Sequence, residues 1–368
     1  MFRALFLGML MGAALAQEPI RIGEYASLTG KEAAYGETSH RGTILAIEEL
    51  NARGGLLGRP VELHTEDNQS KQGESATAVK RLISHDHVVA LLGEVSSIRS
   101  LEAAPVIQNA RLPMVAPASV NARVTEVGDY IFRVCFVDSF QGGVLAKFAR
   151  EHLHLRRVAI LTSVSNAYSV GMARIFKESF ANGAGAIALE RKYSEGDKDF
   201  RAQLTTIKSS GADALFIPGY YTEAALICVQ ARQLGLTIPI FGGDGWDAPA
   251  LVEIGGAAVE GTFFSTHYSP DNPSPEVRDF NTRYQARWGK QPDAWAALGY
   301  DSASVLGDAI RRAESIDPAK IRDALAATRN YPAVTGRITI DSHRNASKSA
   351  VILTVKNGKS QFVESVAP

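Results

Sequence analysis

One pattern occurs twice in this chain, 126 positions apart, and few folds accommodate such a repeat. The apolar pair Val61 and Leu63 recurs as Ile187 and Leu189, residues 88–93 recur at 214–219, and residues 111–115 recur at 237–241. Identities are few, yet no gap is needed from about 61 to 119. Solenoids repeat every 20 to 50 residues or so, so a spacing this long signals two domain-sized units. With 368 residues the chain also exceeds the size at which a single core stops growing. Two similar lobes imply a cleft, and clefts between domains are where small ligands bind.

Bulk chemistry narrows the partners. Lys plus Arg and Asp plus Glu stand at 39 each, so no basic footprint points to nucleic acid or an anionic membrane. Residues 1–16 differ from the rest: Arg3 precedes an apolar run too short to span a bilayer. Ala14-Leu15-Ala16 has the small-x-small form of a signal-peptidase site, which predicts export and a mature chain beginning at Gln17. Cys135 and Cys228 are the only thiols; each lies in an apolar run and reads as a buried free cysteine. Neither has metal-ligand spacing.

Strand and helix patterns alternate from about 20 to 135, with strands at 20–23, 60–66, 88–93, 112–116 and 130–136. Helices are predicted near 39–52, 71–84 and 98–110, and Tyr35 falls in a Gly/Thr/Ser-rich loop before the first. The second copy places strands near 157–162, 186–191, 214–218, 238–242 and 260–265, and helices near 169–182, 199–209 and 222–234. Such alternation predicts βαβ units, hence an α/β chain of two doubly wound parallel-sheet lobes. The tail predicts helices near 275–288, 293–314 and 318–328, then a hairpin of 335–341 with 348–356. Each lobe lacks a third strand–helix unit, so the tail is expected to be shared, with hinge crossings near 137–140, 265–268 and 341–347. The resulting division is 17–137 plus 267–344 against 138–266 plus 345–368.

Catalytic motifs fail. Residues 183–188 match a loose dinucleotide fingerprint in letters but follow a helix and precede a strand, the wrong polarity for a phosphate turn. No P-loop, G-x-S-x-G elbow or H-E-x-x-H occurs. The pairs His85/His87 and His152/His154 lack a carboxylate or cysteine at ligand spacing. What remains are the residues just past the strand ends, where doubly wound lobes meet ligands and helix N-termini present free N–H groups. In lobe one these are Glu94 to Ser97 and Pro117, Ala118, Ser119 and Val120. In lobe two they are Tyr168, Tyr220, Tyr221 and the run Gly243, Asp244, Gly245, Trp246. Hydroxyls and amides suit a carboxylate, whereas aromatic faces and a carboxylate suit an ammonium group. A zwitterion spanning the cleft would satisfy both walls.

Residues 22–36, the helix ending Asn51-Ala52-Arg53-Gly54-Gly55, residues 129–134, residues 138–142 and Tyr300-Asp301-Ser302 together resemble the leucine/isoleucine/valine-binding proteins. That resemblance covers about 20 to 365 and implies a type I periplasmic-binding fold with a multi-strand hinge. It further implies a periplasmic, monomeric receptor without cofactors that hands an apolar, first of all branched-chain, amino acid to an ABC importer permease. Carried onto this chain, Ser97 meets the ligand α-carboxylate, the Ala118 carbonyl its α-amine, and Asp244 its ammonium. Tyr168 and Tyr220 surround the ligand backbone, while Tyr35 and Trp295 touch its side chain; the strand-end reading, apart from the resemblance, adds Trp246 as a further wall. Three departures stand out. Val120 replaces a threonine whose hydroxyl binds the carboxylate, leaving the Val120 N–H or the Ser119 hydroxyl. Asp244 replaces a glutamate, one methylene longer. Cysteines are absent near Gln69 and Ser96, where some members carry a disulfide. An aromatic acid, amide or small carboxylate as ligand, a sensor role, and an exported hydrolase are the rival readings.

Overall fold

The computed structural model describes residues 18–367; the leader read in residues 1–16 and its cleavage point lie outside them. Short, wholly apolar strands dictate the architecture, because a strand buried on both faces must be covered by helices on both. In the first lobe β1 (Ile20–Ala26), β2 (Val61–Asp67), β3 (Ala90–Leu92), β4 (Met114–Ala116) and β5 (Ile131–Arg133) form a parallel sheet in the order β2-β1-β3-β4-β5. Alternation along the strands separates two cores. Leu91, Met114 and Ile131 face α2 (Glu74–Ser84) and α3 (Ser97–Ala110), while Ala90, Leu92, Val115 and Phe132 join the core of α1 (Ala33–Ala52). Tyr35 therefore sits in the first turn of α1 rather than in a loop, since α1 begins six residues ahead of the apolar periodicity at 39.

The second lobe repeats this order. β6 (Arg157–Ser163), β7 (Ala186–Tyr193), β8 (Ala214–Ile217), β9 (Ile240–Gly242) and β10 (Phe263–Thr266) lie as β7-β6-β8-β9-β10, all parallel. Between β5 and β6 runs α5 (Asp138–Glu151), after the short α4 (Arg123–Glu126). It packs on α6 (Ala167–Asn182). α5 carries no clear helical signature in the sequence, because Gly142 and Gly143 interrupt its apolar spacing. α7 (Arg201–Lys208), α8 (Tyr221–Gln233) and α9 (Pro249–Gly255) complete this lobe's helices.

The tail serves both sheets. α10 (Pro275–Trp288), α11 (Ala294–Ala313) and α12 (Pro318–Ala326) return to the first lobe, where α11 packs along α1. The approach is close: a Cβ added at Gly299 would lie 2.1 Å from the Ser39 carbonyl oxygen. The expected hairpin of 335–341 with 348–356 does not form. β12 (Gly336–Ile340) pairs with β11 (Tyr331–Ala333) and β13 (Ala346–Ser347) beside the first lobe. β14 (Ala350–Lys356) instead crosses over to pair antiparallel with β10 and with β15 (Lys359–Val366). The chain thus passes between the sheets three times: after β5, after β10 and at 348–349.

Two buried, opposite charges bridged by the Thr335 hydroxyl steady the third crossing. Asp301 on α11 accepts hydrogen bonds from the Val334 N–H (2.8 Å), the Thr335 N–H (2.9 Å) and Thr335 Oγ1 (2.6 Å). Lys348, at the crossing itself, donates to Thr335 Oγ1, and burial pulls its ammonium down to about 8 against the attraction of Asp301. Breaking a buried pair from one side leaves the other charge unmatched and costs about 3–5 kcal/mol. Asp301→Ala should therefore lower the urea midpoint at unchanged slope, and Asp301→Ala combined with Lys348→Met should recover most of the loss.

Candidate functional site

Both sheets change winding direction beside their first strand, at β1/β3 and at β6/β8, and ligands meet doubly wound sheets outside the carboxyl ends at that switch point. The loops leaving β3 and β4 face those leaving β6, β8 and β9 across one cleft, and the cleft is shut. Tyr35 Oη donates to the Gly245 carbonyl (2.5 Å) and accepts from the Tyr221 N–H (3.3 Å). Ser96 Oγ and Tyr220 Oη lie 3.1 Å apart, Asn121 Nδ2 donates to the Ala167 carbonyl (2.8 Å), and Tyr221 Oη donates to the Lys31 carbonyl (2.9 Å). The Trp295 indole N–H donates to the Asp247 carbonyl. At the rim Lys31 meets Glu195 at 2.6 Å.

The first wall is held from behind by a buried arginine. Arg133, fully buried at the end of β5, donates to the carbonyls of Ser119, Asn121 (2.8 Å) and Ala122 (3.3 Å) and to Thr125 Oγ1 (3.1 Å). These bonds fix the loop that carries Ala118, Ser119 and Val120. All three residues are buried, and the Ala118 carbonyl and Val120 N–H form no hydrogen bond among the described residues. Ser97 opens α3, and its Oγ accepts from the Asn121 N–H (3.2 Å), so its own proton stays free. The Ser119 hydroxyl is spent within the lobe, on the Glu94 carbonyl (2.8 Å) and on Ser100 Oγ (2.7 Å). Glu94 accepts from the Ser27 and Ser96 N–H groups (2.8 Å each), anchoring the preceding loop.

The second wall is aromatic with one carboxylate. Tyr168 and Tyr220 stack with centroids 5.3 Å apart and planes 10° from parallel. The Gly245 N–H donates to Tyr168 Oη (3.2 Å), and a Cβ at Gly245 would stand 2.8 Å from the Tyr220 ring, so only glycine lets this backbone lie against both tyrosines. Burial and the adjacent Asp244 hold the Tyr168 phenol well above its usual range. Asp244 is buried; its Oδ2 pairs with His267 Nε2 (2.9 Å), while Oδ1 has no partner among the described residues. Tyr35 closes the end of the cleft, edge-on to Tyr220, Tyr221 and Trp295 at 5.0–5.5 Å.

Trp246 departs from expectation. Its indole N–H donates to the Ile217 carbonyl (3.1 Å), and its fully buried ring lies against Gly242 in the second lobe's core. An indole N–H must find an acceptor when buried, and the end of β8 supplies one. The structure also adds Asn121, Asp247 and His267 to the cleft, beside the Tyr221 that the strand-end reading already named. Reading past the end of β10, as was done for the strands before it, would have included His267.

A second pair of carboxylates flanks the cleft. Asp247 follows the turn bearing Asp244, and Asp293 caps α11 through the Ala296 N–H (2.8 Å). Both line a cavity of about 600 Å³ between the lobes. Burial pushes Asp247 up to about 7, with Asp293 and Asp244 adding to the rise and the 2.5 Å bond from Thr266 Oγ1 opposing it. Asp293 is pushed up to about 6, chiefly by burial.

Comparison with known proteins agrees with this geometry. A family model described as periplasmic binding protein matches residues 19–360. The Leu/Ile/Val-binding protein BraC3 of Rhizobium johnstonii is 30% identical over 338 residues, 91% of each chain. The leucine-, isoleucine-, valine-, threonine- and alanine-binding protein of Pseudomonas aeruginosa is 26% identical over 93% of this chain and 91% of its own. Among solved structures, the leucine binding protein LivK of Thermotoga maritima superposes with a TM-score of 0.92 at 43% identity, covering 95% of this chain and 99% of that one. The branched-chain amino acid transporter substrate binding protein LivJ of Streptococcus pneumoniae, in complex with isoleucine, superposes with a TM-score of 0.90 at 33% identity, covering 95% and 100%.

The Asp247 environment makes stability pH-dependent. A carboxyl whose folded value lies above its unfolded value favours folding at low pH, and that contribution is lost as pH rises through the folded value. For Asp247 the window runs from 3.8 to about 7. Asp247→Asn should therefore raise the melting temperature relative to wild type at pH 8 and leave it nearly unchanged at pH 4, as read by thermal denaturation.

Proposed function

The chain belongs to the periplasmic binding protein family and has its type I fold, and from that premise we propose that it captures an apolar amino acid between two closing lobes and delivers it to an ABC importer. Branched-chain amino acids are the first choice, and the carrying observation is the set of unpaired polar groups sealed inside the shut cleft. Among the described residues, Asp244 Oδ1 and the Ala118 carbonyl are acceptors without donors, and the Val120 N–H is a donor without an acceptor. An α-amino acid completes all three: its ammonium takes Asp244 and Ala118, and its carboxylate takes Val120 N–H, the free Ser97 proton and the N-terminus of α3.

Val120 thus serves the carboxylate through its backbone, since the neighbouring Ser119 hydroxyl is engaged within the lobe. Tyr35 and Trp295 form the apolar end for the ligand side chain, and Tyr168 with Tyr220 covers its backbone. Relatives named for leucine, isoleucine and valine support this choice, as does the isoleucine complex of the LivJ protein. In this reading the mature protein is a periplasmic monomer, the permease is its partner, and no cofactor or turnover is involved.

Native mass spectrometry of the purified protein should show a co-purified leucine, isoleucine or valine, and calorimetry should return micromolar or tighter affinity, about −8 kcal/mol or better. Asp244→Ala leaves a buried ammonium unpaired, so affinity should fall by about 2–5 kcal/mol. Unchanged affinity in that variant removes Asp244 from the site.

A further inference from the structure

Asp244 does not reach the cleft alone. It follows β9 and His267 follows β10, neighbouring parallel strands, so the two residues stand side by side at the rim of the second sheet. Their side chains are 3% and 0% exposed, and Nε2 of the imidazole lies 2.9 Å from Oδ2 of the carboxylate. The other carboxylate oxygen is the buried, unpartnered Oδ1. We propose that His267 is a positioning residue: its Nε2–H holds Oδ2 of Asp244 so that Oδ1 alone is presented to the ligand ammonium, and the receptor's demand for an α-amine depends on that bond. This deepens the functional reading above and rests on it.

Three features give the imidazole one orientation and one protonation state. Its ring stacks on Phe136 with centroids 3.7 Å apart and planes 22° from parallel, and Trp295 lies edge-on at 6.3 Å. Phe136 and His267 are counterparts in the two lobes. Arg133 pairs with Ala116 and Phe264 with Gly242, strand ends 126 residues apart, and each aromatic lies three residues farther on. The clamp is thus made from the first and second crossings between lobes. Burial and the nearby Lys348 ammonium hold the imidazole down to about 4, although the Asp244 carboxylate pulls the other way. His267 is therefore neutral, with a single ring proton. Were that proton on Nδ1, the lone pair of Nε2 would face a carboxylate oxygen, so the proton belongs on Nε2. Nδ1 is then an acceptor, and it has no partner among the described residues.

Other titratable groups stand around the pair, but among the described residues His267 alone hydrogen-bonds the Asp244 carboxylate. Lys348 approaches from the third crossing and is engaged with Thr335. Tyr168 Oη, beside Asp244, accepts from the Gly245 N–H and keeps its own proton, Asp247 accepts from Thr266 Oγ1, and the Cys135 thiol is only a weak donor. Without the bond from His267, the carboxylate of Asp244 can rotate and both oxygens compete for the same ammonium. An ordinary hydrogen bond to a charged group, once lost, weakens the state that depends on it by about tenfold or more.

The test compares leucine with 4-methylpentanoate, which is leucine without its amine, in wild type, His267→Leu and His267→Gln, whose amide N–H stands near the Nε2 position. Calorimetry should show leucine weakened about tenfold or more in His267→Leu, 4-methylpentanoate unaltered, and leucine largely restored in His267→Gln. Equal weakening of both ligands, or full leucine affinity in His267→Leu, overturns the proposal. If His267→Leu fails to fold, ¹⁵N resonances of the wild-type imidazole decide instead: an Nδ1–H tautomer, or titration near pH 6.5, overturns it, and a neutral Nε2–H form at pH 6 supports it. Wild type that binds no α-amino acid overturns the functional reading and this proposal with it. Wild type that binds leucine, with a His267→Leu variant of unchanged preference for the amine, overturns only the role of His267.

Discussion

Sealing polar groups from water without giving them partners is the constraint on which this molecule turns. The shut cleft hides one carboxylate oxygen of Asp244, the Ala118 carbonyl and the Val120 N–H, none of them paired among the described residues, and each such orphan costs about 1–3 kcal/mol when water cannot reach it. The bonds that close the jaw, from Tyr35 to Gly245 and Tyr221 and from Asn121 to Ala167, work against that penalty. In the proposed complex, a solute carrying both charges would reverse the sign, because it would complete the orphans while the aromatic end buries its side chain. Ligand affinity and closure are then one free energy, and a ligand shifts the jaw only by its differential affinity for the shut form. The exposed rim pair Lys31–Glu195 adds little to this, as surface ion pairs generally do.

Several charges that frame the cleft never face it. Arg133 spends its guanidinium on carbonyls of the loop behind Ala118 to Val120, and Asp301 and Lys348 tie α11 to the third crossing. A binding constellation must be held to a fraction of an ångström by its supporting residues, and loops alone do not do so. Buried charges anchored on strand and helix ends do. This explains why stretches such as 129–134 and 300–302 carry a family resemblance although they make no wall of the pocket.

The repeat made the frame legible before any coordinates. β4 and β9 begin 126 residues apart, as do α4 and α9, and the strand patterns alone implied two parallel sheets. What escaped reading had local physical reasons. Two glycines broke the periodicity of α5, and the polar first turn of α1 hid the fact that Tyr35 is helical. β12 and β14 looked like a hairpin because turn residues separate them, yet the turn is a crossing between sheets. Of the proposed site, strand-end logic supplied Ser97, Ala118, Val120, Tyr168, Tyr220 and Asp244. It could not tell that the Ser119 hydroxyl is spent internally or that Trp246 points into the core, because both depend on partners far away in sequence. His267 escaped because the segment after β10 read only as a hinge.

Duplication also explains why the two walls differ where they do. Since β4 and β9 begin 126 residues apart, Ala118 and Asp244 hold equivalent places in the chain just past these strands. A symmetric pair of rims would offer a solute the same chemistry twice, which suits a symmetric ligand and not one with an anion and a cation attached to the same carbon. The frame can stay duplicated because strands and helices answer only to burial. The rim residues cannot, and their divergence turns two equivalent loops into one lobe that meets charge mainly with backbone and another that meets it with a side chain. At the shared position both lobes still present an acceptor, a carbonyl from Ala118 and a carboxylate from Asp244. In the proposed complex these approach the same ammonium from opposite sides, so the remaining trace of symmetry lies where the ligand's cation sits.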